Sequence, residues 1–376
     1  MGFTLNGITV TGGVTFQAAA AGPTGGALYA WGQNDYGQLG IGDTTHRSSP
    51  VQVGALTTWS EVAGGELHSV AVKSDGTLWS WGRNNVGQLG QGNQTDRSSP
   101  VQVGALTTWS TVACGRSVSA AIKTDGTLWT WGRGLFGQLG LGNTTYYSSP
   151  KQVGALTTWL QVASGFYHTA AVKTDGTLWT WGGNGYGQLG LDISTSLDRS
   201  SPVQVGAGTN WLQVACGSYH TVAVKTNNTL WTWGRNNAGQ LGISNTTQYS
   251  SPKQVGALTN WLQVTAGYNF TLAVKTNGTL WAWGANGQGQ MGVGNTNNYS
   301  SPMQVGALTT WSEVRVGRNY SSAIKTDGTL WTWGMNQSGQ LGINTTTYRS
   351  SPVQVGALTT WSVIGPGFVH LLATSS

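Results

Sequence analysis

A Trp-Gly dipeptide recurs at Trp31, Trp81, Trp131, Trp181, Trp233, Trp283 and Trp333, at a spacing of 50 residues broken by one interval of 52. A period of that length means that one supersecondary unit repeats, each copy burying its apolar face against its neighbours. The two or three domains that 376 residues would ordinarily suggest therefore give way to a single array. A second series, Trp59, Trp109, Trp159, Trp211, Trp261, Trp311 and Trp361, and a third, Trp79, Trp129, Trp179, Trp231, Trp281 and Trp331, complete the twenty tryptophans.

Within one unit, LQVASG after Trp159 alternates as a strand does, HTAAVK follows, and Asp175-Gly176 supplies a two-residue hairpin turn before TLWTWG. GQLGLG and a polar loop ending in Ser-Ser-Pro then lead to KQVG, where the proline suits the start of an outermost, edge strand. Four antiparallel strands repeated seven times, with no helical periodicity, predict an all-β fold, a seven-bladed β-propeller, because radial repetition leaves only short, protected edges. The last unit stops after its second strand, at HLLATSS, and the first begins at a third strand, ALYAWG. The N-terminal outer strands are thus expected to pair with the C-terminal inner strands and close the ring.

Segments such as VACGSYHTVAV (Val214 to Val224), followed by Trp-Gly and GQLG, resemble the repeats of the regulator of chromosome condensation family, over roughly residues 26–376. The resemblance implies a seven-bladed propeller with this kind of closure; the scaffold serves unrelated tasks, so it does not imply a particular one. Light sensing by tryptophans after the first-strand glycine occurs in the family, but here that position holds Glu66, Arg116, Phe166, Ser218, Tyr268, Arg318 and Phe368. The tryptophans therefore read as core. No motif carries over interaction residues for nucleotide exchange on a small GTPase, and one bacterial relative shows that the variable face can block an enzyme.

In an up-and-down blade the loops after the first and third strands share one face. The opposite face is nearly constant between repeats, with its T-D-G or T-N-G turn and GALTTW, whereas the first face varies. Nine of ten arginines and ten of twelve tyrosines fall at the variable positions, and these residue types dominate interface hot spots. The candidate binding residues are Tyr36, Arg83, Arg116, Arg133, Phe136, Tyr146, Tyr147, Phe166, Tyr167, Tyr186, Tyr219, Arg235, Tyr249, Tyr268, Tyr299, Arg318 and Tyr348. The bland alternative is drift among exposed loops after duplication.

Charged residues make up only 8% of the chain, and the net charge of +6 is spread around it, since six of eight lysines recur in one turn. A nucleic-acid surface clusters its basic residues, so no nucleic-acid partner is expected. His68, His168, His220 and His370 share a repeat position filled elsewhere by Val118, Phe270 and Tyr320, which argues for packing rather than a zinc site. Nucleophile-elbow, phosphate-loop and metalloprotease motifs are missing, so neither catalysis nor a metal or cofactor is expected. Cys114 and Cys216 occupy equivalent positions of different repeats, which separates the thiols.

No 18-residue apolar run is present to span a membrane, and the N-terminus lacks the basic and apolar regions of a Sec-type signal, pointing to a cytoplasmic or virion-associated protein. Residues 1–25 carry no charged side chain and read as short strands broken at Asn6-Gly7 and Gly12-Gly13, an extension or anchor available for self-assembly; residues 26–376 are the propeller. The leading expectation is a non-enzymatic propeller displayed on a virion or cell surface, binding a protein or glycan through the Tyr/Arg face. The alternative is a soluble regulator that binds one protein partner, as an inhibitor or exchange factor.

Overall fold

The computed structural model describes residues 2–5, 8–11, 25–192 and 197–376. Its sheets are one two-stranded hairpin and seven four-stranded antiparallel blades, so the expected propeller is the fold. Blade one joins Trp361–Pro366 and His370–Ser375 to Ala27–Gly32 and Arg47–Gln52, in that order from the axis outward. Blades two to seven follow along the chain, each opening with the inner strands Trp59–Gly64, Trp109–Cys114, Trp159–Ser164, Trp211–Cys216, Trp261–Ala266 and Trp311–Val316. The junction in blade one pairs Ala27 with Ser375 through to Gly32 with His370. Among the described residues no helix is long and apolar enough to cross a membrane.

Two local expectations are corrected. The hairpin after the second strand has a three-residue loop: Gly176 N–H donates to Lys173 O and Lys173 N–H to Thr177 O, with Gly176 at φ +75°. That is a type I turn followed by a left-handed residue, and Asp175 Oδ1 braces it by accepting from both the amide and the hydroxyl of Thr177. The proline does not open the fourth strand. In Tyr147–Gln152 it is the fourth residue, at the point where pairing with the third strand shifts register between Thr130 and Gly132, so no ladder bond is lost.

Near the N-terminus Gly2–Leu5 pairs with Ile8–Thr11, Leu5 opposite Ile8, which leaves the anchor expectation untested. Residues 1, 6, 7 and 12–24 lie outside the described residues.

The core lies between blades. The indoles of the Trp-Gly series are fully buried, and those of the second series are no more than 5% exposed. Trp81 Nε1 donates to Gln38 O of the preceding blade, and the same bond closes the ring from Trp31 to Gln340 O. The glycine of the GQLG segment is required at this contact: a Cβ on Gly40 would lie 2.7 Å from Trp81 Nε1.

The shared histidine position is structural. His68, His168, His220 and His370 are buried, and each Nε2 meets a hydroxyl of the next blade: Ser119 at 2.9 Å, Thr221 at 2.8 Å, Thr271 at 3.1 Å and Ser69 at 3.0 Å. Those hydroxyls donate onward to Gln88, Gln188, Gln240 and Gln38 carbonyls, so each accepts from Nε2–H and leaves Nδ1 as a buried lone pair without a partner. Burial lowers all four imidazole pKa values to about 3, which keeps the rings neutral.

Candidate binding face

The two variable loops of each blade are tied together by backbone. Arg83 N–H donates to Leu67 O, Arg133 N–H to Ser117 O, Arg235 N–H to Tyr219 O, and Gln33 N–H to Val369 O. Neighbouring blades are also linked around the channel mouth, where Glu66 N–H donates to Arg116 O, Tyr268 N–H to Arg318 O and Phe368 N–H to Gly65 O. Such a rim holds its side chains on a rigid frame, which lowers the entropy lost on binding.

Glycine makes the frame this tight. A Cβ on Gly165 would stand 2.3 Å from Gly217 O, and one on Gly115 2.3 Å from Gly165 O. Beneath the rim, glycines of all seven blades, with Cys114 and Cys216, line a cavity of about 80 Å³. Burial pushes the Cys114 thiol up to about 12 and raises that of Cys216 further.

Above that cavity the aromatic side chains run as one connected track. Phe166 lies 4.4 Å from Phe368 and 5.3 Å from Tyr268 between ring centroids, and 5.8 Å from Tyr167. Tyr167 continues the track to Phe136 at 5.1 Å and, stacked, to Tyr219 at 5.1 Å; Tyr186 follows at 4.8 Å from Tyr219. Burial, then the neighbouring Tyr167, raises the pKa of the Tyr219 phenol, which keeps that hydroxyl protonated.

Arginines flank the track. Arg235 sits over Tyr186 and Tyr219 at 5.0 and 5.4 Å, Arg318 over Tyr268 at 5.1 Å, Arg133 over Phe136 at 5.9 Å, and Arg83 over Tyr36 at 4.7 Å. Arg116 differs: its Nε donates to Glu66 Oε2 at 3.0 Å and its Nη1 to the Tyr167 hydroxyl at 3.3 Å. The guanidiniums of Arg83, Arg133, Arg235 and Arg318 make no ion pair and no hydrogen bond among the described residues, and Arg133 Nε is buried without a partner. Most acidic groups of this face are already engaged, Asp35 with His46, Asp43 with Arg47, Asp96 with the Asn84 amide and Asp198 with the Asn184 amide.

Of the residues singled out in the sequence, Arg116, Arg133, Phe136, Phe166, Tyr167, Tyr186, Tyr219, Arg235, Tyr268 and Arg318 thus come together near the axis, and Tyr36 with Arg83 forms an adjacent pair. Tyr147, Tyr249 and Tyr299 instead begin outer strands, where their hydroxyls accept from Asn143, Asn245 and Asn295 of their own blades. Tyr146 and Tyr348 are exposed, the latter donating to Gln337 Oε1. Phe368 was absent from the candidate set, although it shares its repeat position with Phe166. Among the described residues no cluster of three or more metal-ligating side chains forms.

Comparison with known proteins follows the same outline. A model of the RCC1-like domain matches residues 107–373, and models of the regulator of chromosome condensation (RCC1) repeat match residues 25–72, 75–122 and 59–88. Human WBSCR16 superposes with a TM-score of 0.84 at 23% identity, over 94% of this chain and 99% of that one. Prp20p from Saccharomyces cerevisiae, a structure described with its binding to Gsp1p and histones, gives 0.83 at 19% identity, over 97% and 96%. The ultraviolet-B receptor UVR8 of Arabidopsis thaliana is 45% identical over 53 residues, 14% of this chain; the match spans 12% of the receptor's length.

Proposed function

The chain belongs to the RCC1-like domain family, and on that premise we propose that it is a non-enzymatic, protein-binding regulator that engages its partner through the face just described. The observation that carries this reading is the set of four arginines, each laid on an aromatic ring and lacking any carboxylate, beside a continuous aromatic track. Stacking orders a guanidinium before a partner arrives, and aromatic plus arginine anchors on a rigid rim are what hot spots consist of. The yeast relative's binding of Gsp1p and histones favours a protein partner over a glycan, and a regulator over a component displayed on a virion or cell surface.

The test is comparative. Partners captured from native extract on the full chain are identified, purified and titrated calorimetrically against Tyr219→Ala with Arg235→Ala, and against Leu258→Ala in the link on the opposite face, where Leu258 is 48% exposed. Loss of at least tenfold in affinity for the first variant, about 1.4 kcal/mol, with less than twofold for the second supports the reading. The reverse pattern sinks it.

A further inference from the structure

The lower face holds a repeated arrangement that the upper-face reading does not use. At the end of the second strand, Lys73 places Nζ 3.6 Å from the centre of Trp79 and 4.9 Å from that of Trp59. Lys123, Lys173, Lys225, Lys275 and Lys325 repeat it, with nearer distances of 3.9, 3.7, 4.3, 3.7 and 3.6 Å. An ammonium over an indole is held by the ring quadrupole. A neighbouring acid is not needed, since Lys225 and Lys275 keep the position with Asn227 and Asn277 where other blades have aspartate.

Blade one keeps the aromatic pair but not the lysine. Tyr29 and Trp361 face each other at 5.4 Å and 72°, close to the 6.1 Å and 77° of Trp59 and Trp79. Opposite Trp361, where Lys73 stands opposite Trp59, is Ser375, whose hydroxyl is engaged by Thr360 Oγ1 at 2.6 Å. No lysine or arginine of the chain lies over either ring among the described residues.

We propose that Tyr29, Trp361 and Ser375 form an ammonium-binding site that receives a lysine side chain from a protein partner on the lower face. Six intramolecular copies show the geometry such a ligand adopts: the ammonium stands over the ring of the third strand, 3.6 to 4.3 Å from its centre, and 4.6 to 5.2 Å from the centre of the first-strand tryptophan. Serine at this place brings no alkyl stem or ammonium to the pair, unlike the lysine of the other six blades. The site is independent of the upper-face reading.

The experiment is saturation-transfer NMR on the full chain with Nα-acetyl-lysine amide as probe and its neutral Nε-acetyl form as control. The expected result is transfer to the lysine ε-methylene that falls at least about threefold with the neutral probe, with Ser375→Lys, which supplies the ammonium from within, and with Tyr29→Leu. Equal transfer in all three proteins, or none in the wild type, overturns the proposal. Should Ser375→Lys fail to fold by thermal melting, Tyr29→Leu decides alone.

Discussion

Acid should unfold this propeller through its histidines. Each of the four imidazoles has a folded pKa of about 3 because burial opposes charge, against about 6.5 in the unfolded chain. The unfolded state therefore binds more protons between these values: the stability these groups confer is complete above pH 6.5 and is lost as pH falls toward 3. At pH 5 an unfolded histidine is almost fully protonated and a folded one is not, which removes about 2 kcal/mol per residue, and about 8 kcal/mol for four. The figure barely depends on the folded pKa, provided it lies well below 5. Glu61 opposes the trend: burial first, then Glu313, raises its pKa to about 7 against the pull of Arg315, so it takes up a proton on folding in the same window and offsets about one histidine. His220→Phe isolates the effect, since Phe270 occupies the equivalent position one blade on. Equilibrium urea denaturation at pH 7 and pH 5 should show a loss of stability about 2 kcal/mol smaller in His220→Phe than in the wild type. An unchanged loss would mean that the folded protein can protonate His220, and the reasoning from its unpartnered Nδ1 would fall.

Two further outcomes are expected. Gly165→Ala sets a Cβ against the Gly217 carbonyl and should lower stability by about 2 kcal/mol or more in urea denaturation, whereas Gly185→Ala, with nothing within 4 Å, should shift it by less than about 0.5 kcal/mol. Cys114 and Cys216 are half-buried in the cavity wall and desolvation raises both thiols, so each should react with an aromatic disulfide at least about tenfold more slowly in the native protein than in denaturant; equally fast labelling of the native state would refute that protection.

Much of the ring was legible because its determinants are periodic. Trp-Gly every 50 residues located the blades, and the complementary stubs ALYAWG and HLLATSS located the closure. The turn type and the place of the proline were not, since both depend on which amides pair, and Asp-Gly serves two-residue and three-residue loops alike. On the variable face, repeat position identified the loop but not the direction of the side chain. Tyr167 and Tyr219 turn toward the axis, while Tyr147 and Tyr299 brace outer strands with hydroxyls bonded to nearby asparagines. The recurrent lysines were read as dispersed charge, because composition does not reveal that each lies on tryptophan.

The junction in blade one also makes assembly of the ring sequential. In every other blade the second and third strands are joined by a short turn, but His370–Ser375 must find Ala27–Gly32 across nearly the whole chain. Chain-closure entropy grows as the logarithm of loop length, so replacing a few residues by several hundred costs about 4 kcal/mol. During synthesis the strand Ala27–Gly32 emerges early and waits with an unpaired edge while six blades form behind it. Pulled or heated, the ring should part first at the same seam, and the interval before it shuts is when the molecule is most exposed to pairing with the wrong strand.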